Sequence, residues 1–397
     1  MSFLKSLVVG GMLLVGAWAW AQVPAAPEIA ARSYLLLDVT ANQILAAKDV
    51  EAPVEPASLA QLMTAYVLWD AIKAHKLDLK QALPVSERAW KMPGARMFID
   101  PTMQVTVEDL VKGMAVQSAN DATMALAEGV GGSAERFVQM MNDQAKVLGM
   151  QSSVYKNPEG QPAAGQTTTA RDLGVLGARL VTDFPDMVGY YALKRFRYPG
   201  APAANDTNRN LLLFRDPSVD GLKTGHTEAA GYCIVATAQR EFPNLANAAA
   251  VATDPAAKGM RRLLAVVIGA ESENARANEA QKLLNWGFTA FEAVKLYEGG
   301  QAVSNSTVWK GTASKVGMGK AQPLVVAIPA GAAARIKTQV VRSDPLVAPI
   351  ANGQVLGSLR VYSGDALVTE VPLQALESVG QAGILGRAWD AVRMWVR

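Results

Sequence analysis

The sequence predicts an α/β (α+β) sandwich of antiparallel sheet and helices, followed by a small all-β domain and a terminal amphipathic helix. Three observations carry this. Over residues 28–295 the order is strands, many helices, strands, helix, which layers helices on a sheet built from both ends of the segment. Over residues 296–375 the texture changes to short β-leaning runs separated by Gly, Pro, Ser and Asp. Residues 378–397 are two-sided at helical spacing. The chain has 397 residues, and domains commonly run ~100–200 residues, so two folded domains are expected.

Ser33 to Asp38 reads as a strand, Thr40-Ala41-Asn42 turns it, and Gln43 to Ala47 returns. Ser58 to Ile72 is the strongest helix, because Leu59, Leu62, Met63, Tyr66 and Val67 recur at i, i+3, i+4 and i+7. A second helix starts near Thr106, with Asp109 three residues on as a weak capping box, and runs to about Gln117. A third covers roughly Asp121 to Glu128 and is broken by Gly129 to Gly132. Gly231 to Ala238 and Leu263 to Ile268 are apolar β-leaning runs, with an Ala-, Asn- and Pro-rich loop, Phe242 to Lys258, between them. A helix spans about Asn274 to Ala293. In the second domain, strand-like runs cover Pro323 to Ile328, Arg335 to Arg342, Gln354 to Tyr362 and Ala366 to Leu373. Trp90 and Trp286 are expected in the core, Cys233 as a small buried hydrophobe, and His75 in solvent.

Half the residues are apolar and 18% are charged, a globular balance that excludes disordered and collagen-like chains. Lys plus Arg number 38 against 35 Asp plus Glu, and no nucleic-acid-binding motif is present, so nucleic acid is not an expected partner. His75, His226 and Cys233 are the only histidines and cysteine, too few for a usual His/Cys zinc site. No cofactor or metal is expected.

The first 21 residues read as an export signal. Lys5 supplies the positive start, and Leu7 to Val15 is apolar but shorter than the ~20 residues of a bilayer span. Ala19-Trp20-Ala21 is a small-x-small cleavage site; an uncleaved anchor is the alternative. At the other end Ile384, Leu385, Ala388, Trp389, Val392, Trp395 and Val396 fall on one helical side. Arg387, Asp390, Arg393 and Arg397 fall on the other. Such a helix suits a bilayer interface; the alternative is docking on its own domain.

Three stretches carry potential chemistry: Ser58-Leu59-Ala60-Gln61 at a helix start, Ser118-Ala119-Asn120 at a helix break, and Lys223-Thr224-Gly225-His226 just before a strand. Singly, each has a bland reading as a helix cap, a common tripeptide or an exposed turn. A serine at a helix N-terminus is also placed to act as a nucleophile. A side chain three residues on, here Gln61, has its Cβ ~5–6 Å away, where an activating base would reach it.

In this order the three stretches resemble the motif set of the penicillin-binding protein and serine β-lactamase superfamily: Ser-x-x-Lys, Ser-x-Asn and Lys-Thr-Gly. More narrowly, the chain resembles the low-molecular-mass, serine-type D-alanyl-D-alanine carboxypeptidases. The likeness extends to Ser118-Ala119-Asn120-Asp121-Ala122, to Val219 through Thr227, to Leu283-Leu284-Asn285-Trp286-Gly287-Phe288, and to the small β domain and terminal helix.

The resemblance implies a periplasmic enzyme, held on the inner-membrane surface, that trims the terminal D-Ala from peptidoglycan stem peptides and takes β-lactams as covalent inhibitors. It implies that Ser58 forms an acyl-enzyme, Ser118 relays a proton, and Lys223 supplies charge for relay and anchoring. Asn120, Thr224, Gly225 and His226 would bind substrate. The backbone N–H groups of Ser58 and His226 would form the oxyanion hole.

One position departs from the pattern in a way that bears on rate. Gln61 stands where the family has lysine. A neutral amine accepts the serine proton; an amide does not. Ser153-Val154-Tyr155-Lys156 has the motif spacing but lies in an apparent loop after Ser118. Glu159 stands in a loop where many relatives carry histidine. Three readings follow: a carboxypeptidase slowed at Gln61, a catalytically silent envelope protein that binds cell-wall peptides, and a β-lactamase. The second domain and tail count against the last.

Overall fold

The structure is a computed structural model describing residues 24–202, 206–246, 253–254, 256–342 and 344–395. The export-signal segment, together with Val396 and Arg397, lies outside these residues.

The chain opens with β1 (Ser33–Asp38) and β2 (Gln43–Lys48), then a 3-10 turn, Ala57–Ala60, that leads into α1 (Gln61–Lys73). Next come β3 (Ala82–Pro84), α2 (Glu87–Trp90), β4 (Gln104–Thr106) and α3 (Val107–Lys112). The Thr106 hydroxyl accepts from the Asp109 N–H at 3.1 Å and so caps α3. A π turn, Gly113–Gln117, ends at Ser118 and is followed by α4 (Asn120–Gly131), α5 (Ala134–Val147) and α6 (Ala170–Asp183). The main sheet is completed by β5 (Val219–Thr227), β6 (Gly231–Phe242) and β7 (Gly259–Ala270). Its strand order is β2-β1-β7-β6-β5, antiparallel throughout, so the first and last strands of the segment pair side by side.

The period-2 alternation of strand side chains explains the layering. Leu35, Val235, Leu264 and Val266 face the helical layer, where they join Leu62, Leu68, Leu110 and Leu126. Their neighbours Leu36, Ile234, Ala236, Leu263, Ala265 and Val267 face the opposite way, onto Ala277, Ala280, Leu283 and Phe288 of the helix Glu273–Ala290. Each large aliphatic side chain so buried contributes about 1.5–3 kcal/mol.

The remainder is all-β up to the terminal helix: β8 (Phe291–Tyr297), β9 (Ala302–Trp309), β10 (Lys315–Gly319), β11 (Leu324–Pro329), β12 (Ile336–Arg342), β13 (Leu346–Val347), β14 (Val355–Ser363) and β15 (Ala366–Ala375). Six of these form a sheet in the order β12-β14-β15-β10-β9-β13, while β8 pairs with β11.

Three expectations are corrected. The Lys223-Thr224-Gly225-His226 stretch lies inside β5, where pairing with β6 from Lys223↔Val235 to His226↔Tyr232 overrides its turn-like composition. The helix expected to reach residue 293 ends at Ala290, because Phe291 onward is claimed by β11. Trp90 is 43% exposed rather than core; α2 is a single turn whose buried residue is Ala89.

The terminal helix runs Ile384–Trp395. Its polar side faces the β domain. The Lys310 N–H donates to Asp390 Oδ2 at 2.7 Å, and the Arg393 guanidinium lies 5.7 Å from the Trp309 ring centre. Ile384, Leu385, Trp389, Val392 and Trp395 are exposed. Among the described residues no helix is long and apolar enough to cross a membrane.

Candidate active site

Three segments that are distant in sequence converge at the end of β5. The first carries Ser58. Ala57 adopts a left-handed backbone, φ 47°, in the turn before α1, a conformation that costs an L-residue roughly 1–2 kcal/mol. The turn persists because its surroundings leave no alternative. A Cβ on Gly160 would lie 1.8 Å from the Ala57 carbonyl oxygen, and one on Gly225 would lie 3.2 Å from the Ala57 Cβ. Both glycines therefore let backbone close directly around the residue before Ser58. The loop bearing Gly160 is itself pinned, since the Thr64 hydroxyl donates to Pro158 O at 2.6 Å and the Gly160 N–H to Asn157 Oδ1 at 2.7 Å.

The second segment is the end of the π turn. Ser118 is also left-handed, φ 60°, and this bend points its hydroxyl toward β5. The third is Lys223, buried on β5, whose amine donates to Ser118 Oγ at 2.8 Å and to Thr224 O at 3.0 Å. Burial, and after it the positive charges of Arg209 and Arg276, hold this amine well below the usual lysine range.

Gln61 is buried, and its side-chain amide bonds to groups other than Ser58. Its Oε1 accepts from the Ser118 hydroxyl at 3.2 Å. Its Nε2 faces three oxygens: Ser118 O at 3.4 Å, Asn120 Oδ1 at 3.3 Å and Glu159 O at 3.3 Å. An amide has two hydrogens for these three acceptors, and all three contacts are long. The Ser58 hydroxyl makes no hydrogen bond among the described residues.

A cleft of about 200 Å³ is lined by Ser58, Ser118, Thr224, Gly225 and His226, joined by Arg209, Tyr232, Glu273 and Arg276. Asn120 is not part of this lining, because its amide donates to Pro93 O at 2.7 Å and accepts from Gln61. His226 is exposed, with its ring 4.0 Å from that of Tyr232. Among the described residues there is no group of His, Cys, Asp and Glu able to hold a metal ion. A hydroxyl lining an electropositive cleft, together with a serine whose hydroxyl contacts a buried lysine, is an arrangement able to accept an acyl group from an anionic substrate.

Comparison with known proteins agrees with this geometry. Residues 20–254 match the D-alanyl-D-alanine carboxypeptidase family, and residues 291–381 match the C-terminal domain of penicillin-binding protein 5. The chain belongs to the D-alanyl-D-alanine carboxypeptidase family. It is 36% identical to D-alanyl-D-alanine carboxypeptidase DacC of Escherichia coli (strain K12), over 99% of this chain and 96% of that protein. It is 35% identical to DacA of Haemophilus influenzae, over 94% of this chain and 91% of that one. The solved penicillin-binding protein 5 from Haemophilus influenzae superposes with a TM-score of 0.79 at 33% identity, covering 90% of this chain and all of that one. By family, then, this carboxypeptidase is a serine-type hydrolase with the mixed α/β fold and the C-terminal β domain expected of it.

The fold adds cleft residues that the motifs do not announce. Arg276 is buried and donates to Gly225 O and Arg209 O at 3.3 Å each, and it meets Glu273 Oε1 at 3.3 Å. It thereby braces β5 from behind while adding positive charge. Its only local sequence signal is the i,i+3 spacing from Glu273 in the first turn after the Ser272 cap, and that signal does not point to a cleft. Ser153, the displaced-motif candidate, instead donates to Asp172 at 2.7 Å, away from these residues. Glu159 is buried, its Oε2 has no partner, and burial pushes its carboxyl above the usual range.

Proposed function

We propose that this carboxypeptidase removes the terminal D-Ala from peptidoglycan pentapeptide stems through an acyl-enzyme on Ser58, with Ser118 and Lys223 handling the proton. The observation that carries this reading is the 2.8 Å contact of Lys223 with Ser118 beside the cleft that Ser58 lines. Ser58 Oγ bonds to the D-Ala–D-Ala carbonyl carbon. Its proton passes to Ser118 Oγ as Ser118 gives its own to the neutral Lys223 amine. The backbone N–H groups of Ser58 and His226 receive the oxyanion. The proton then returns through Ser118 to the departing D-Ala nitrogen as the C–N bond breaks, and water hydrolyses the ester. Thr224 takes the substrate carboxylate on the wall made electropositive by Arg209 and Arg276. Gly225 and His226 shape the cleft beside it, and Asn120 holds the substrate backbone after releasing Gln61. β-lactams acylate the same hydroxyl.

Gln61 slows this sequence. Its Oε1 accepts a hydrogen bond from the Ser118 hydroxyl, and that bond must break before Ser118 can pass its proton to Lys223. The amide cannot itself serve as the base.

The exposed Ile384, Leu385, Trp389, Val392 and Trp395 face fits the interface of the inner membrane, on its periplasmic side, and the first 21 residues act as the export signal. Residues 28–290 serve as the catalytic unit, 291–381, with β8 paired to β11, as the β domain, and the helix Ile384–Trp395 as the membrane-surface element.

The test is incubation of purified protein with a D-Ala–D-Ala peptide and, in parallel, with fluorescent penicillin. Release of D-Ala and covalent labelling support the enzyme. Absence of both supports a silent envelope protein that only binds cell-wall peptides.

A further inference from the structure

We infer that Glu55 is a positioning residue that sets the spacing of the oxyanion hole; this rests on Ser58 acting as the nucleophile. The Thr227 hydroxyl donates to Glu55 Oε2 at 2.9 Å and accepts from the Ala230 N–H at 2.9 Å. Glu55 lies three residues before Ser58, and Thr227 directly follows His226. The contact therefore joins the two backbone segments whose N–H groups receive the oxyanion.

The need for such a tie follows from the local backbone. Ala57, between Glu55 and Ser58, is left-handed, and a strained conformation persists only where its surroundings over-determine it. On the inner side the surroundings are Gly160 and Gly225, packed against Ala57. On the solvent side the polar link across this turn is Glu55 to Thr227. Arg276 braces Gly225 O from behind, and the Tyr232 ring flanks His226, so the β5 end is held firm and Glu55 fastens the Ser58 turn to it. Without the link, the Ser58 turn relaxes while the cleft walls that recognise substrate stay in place.

The test is a penicillin acylation series that separates noncovalent affinity from the acylation rate constant, with melting temperatures measured alongside. Glu55→Ala and Thr227→Val each lower the rate constant by about ten- to a hundredfold, a usual consequence of misplacing reacting groups by a fraction of an ångström to an ångström. Affinity stays within about threefold, because only the transition state uses the hole. The double variant is no slower than either single one. Glu55→Gln, whose amide oxygen still accepts from Thr227, stays near the native rate. Single variants at the native rate, Glu55→Gln as slow as Glu55→Ala, or losses that multiply in the double variant overturn the inference. The series is run in the native chain and in the Gln61→Lys background. A native chain that does not label while Gln61→Lys does contradicts the Ser118–Lys223 relay, and the second background then decides the role of Glu55. Failure of both backgrounds to label overturns both readings.

Discussion

At position 61 an amide occupies a pocket of three acceptor oxygens, a setting with room for a third donor. Gln61→Lys supplies that donor and, when neutral, a base within reach of the nucleophile. D-Ala release is expected to rise by several orders of magnitude, since removing one member of a nucleophile-activating set commonly costs on the order of 10⁴–10⁶ in rate. An unchanged rate of release contradicts this account of Gln61. Lys223 gives a second prediction, in pH. Only the neutral amine accepts the relayed proton, and burial lowers the pH at which it becomes neutral. Acylation of the native chain should therefore rise with pH along a midpoint below the ordinary lysine value of ~10.4. Lys223→Ala should lower the rate and abolish that rise in a pH–rate profile. Ser58, Ser118 and Lys223 were legible from the sequence because each sits in a short string whose order is informative. Tyr232, Glu273 and Arg276 were not, because only the packing of the Glu273–Ala290 helix and β6 against β5 brings them to the cleft, and Arg209, in the segment before β5, is tied there through its carbonyl by Arg276.

At the scale of elements, the loop around Glu159 and the turn around Ser58 share one fitted surface. Gly160→Ala introduces a Cβ at φ 85° into the Ala57 carbonyl, with no flexible side chain to yield. A loss of at least ~2 kcal/mol in urea unfolding is expected, together with slower acylation. The terminal helix makes a different prediction. Trp389→Glu with Trp395→Glu removes the largest exposed apolar groups, and co-sedimentation with anionic vesicles should fall about tenfold or more. Equal sedimentation of the variant contradicts the membrane reading. Periodicity revealed this helix and both of its sides, but not that the polar side docks through Asp390 and Arg393 onto the turn after β9. Likewise Lys, Thr, Gly and His do not announce a strand; the β6 ladder imposes one on them.

Across the whole molecule, the catalytic unit and the β domain meet at a small apolar cluster of Leu245 with Ala293 and Val325 and at polar contacts that sequence patterns cannot locate. Gln43 on β2 accepts from the Ala327 N–H at 2.7 Å and donates to Ala327 O at 3.2 Å. Arg261 on β7, fully buried, pairs with Asp38 at 2.8 Å and donates to Phe291 O at 2.7 Å, where β8 begins. The guanidinium also lies 4.8 Å from the Phe242 ring centre. Asp38→Ala leaves this cation buried without its counter-ion, and a loss of about 3–5 kcal/mol in urea unfolding is expected. An unchanged midpoint would show that the pair is dispensable. The layered architecture itself was readable from alternation and helical spacing, because those patterns are the direct imprint of which side chains leave water.

The proposed chemistry turns on one covalent bond. Intact-protein mass spectrometry after exposure to penicillin, with peptide mapping and Ser58→Ala alongside, tests it most directly. The account predicts a single adduct per chain, carried by Ser58 and absent from Ser58→Ala. An adduct that persists in Ser58→Ala, or a native chain that stays unmodified under prolonged exposure, contradicts it.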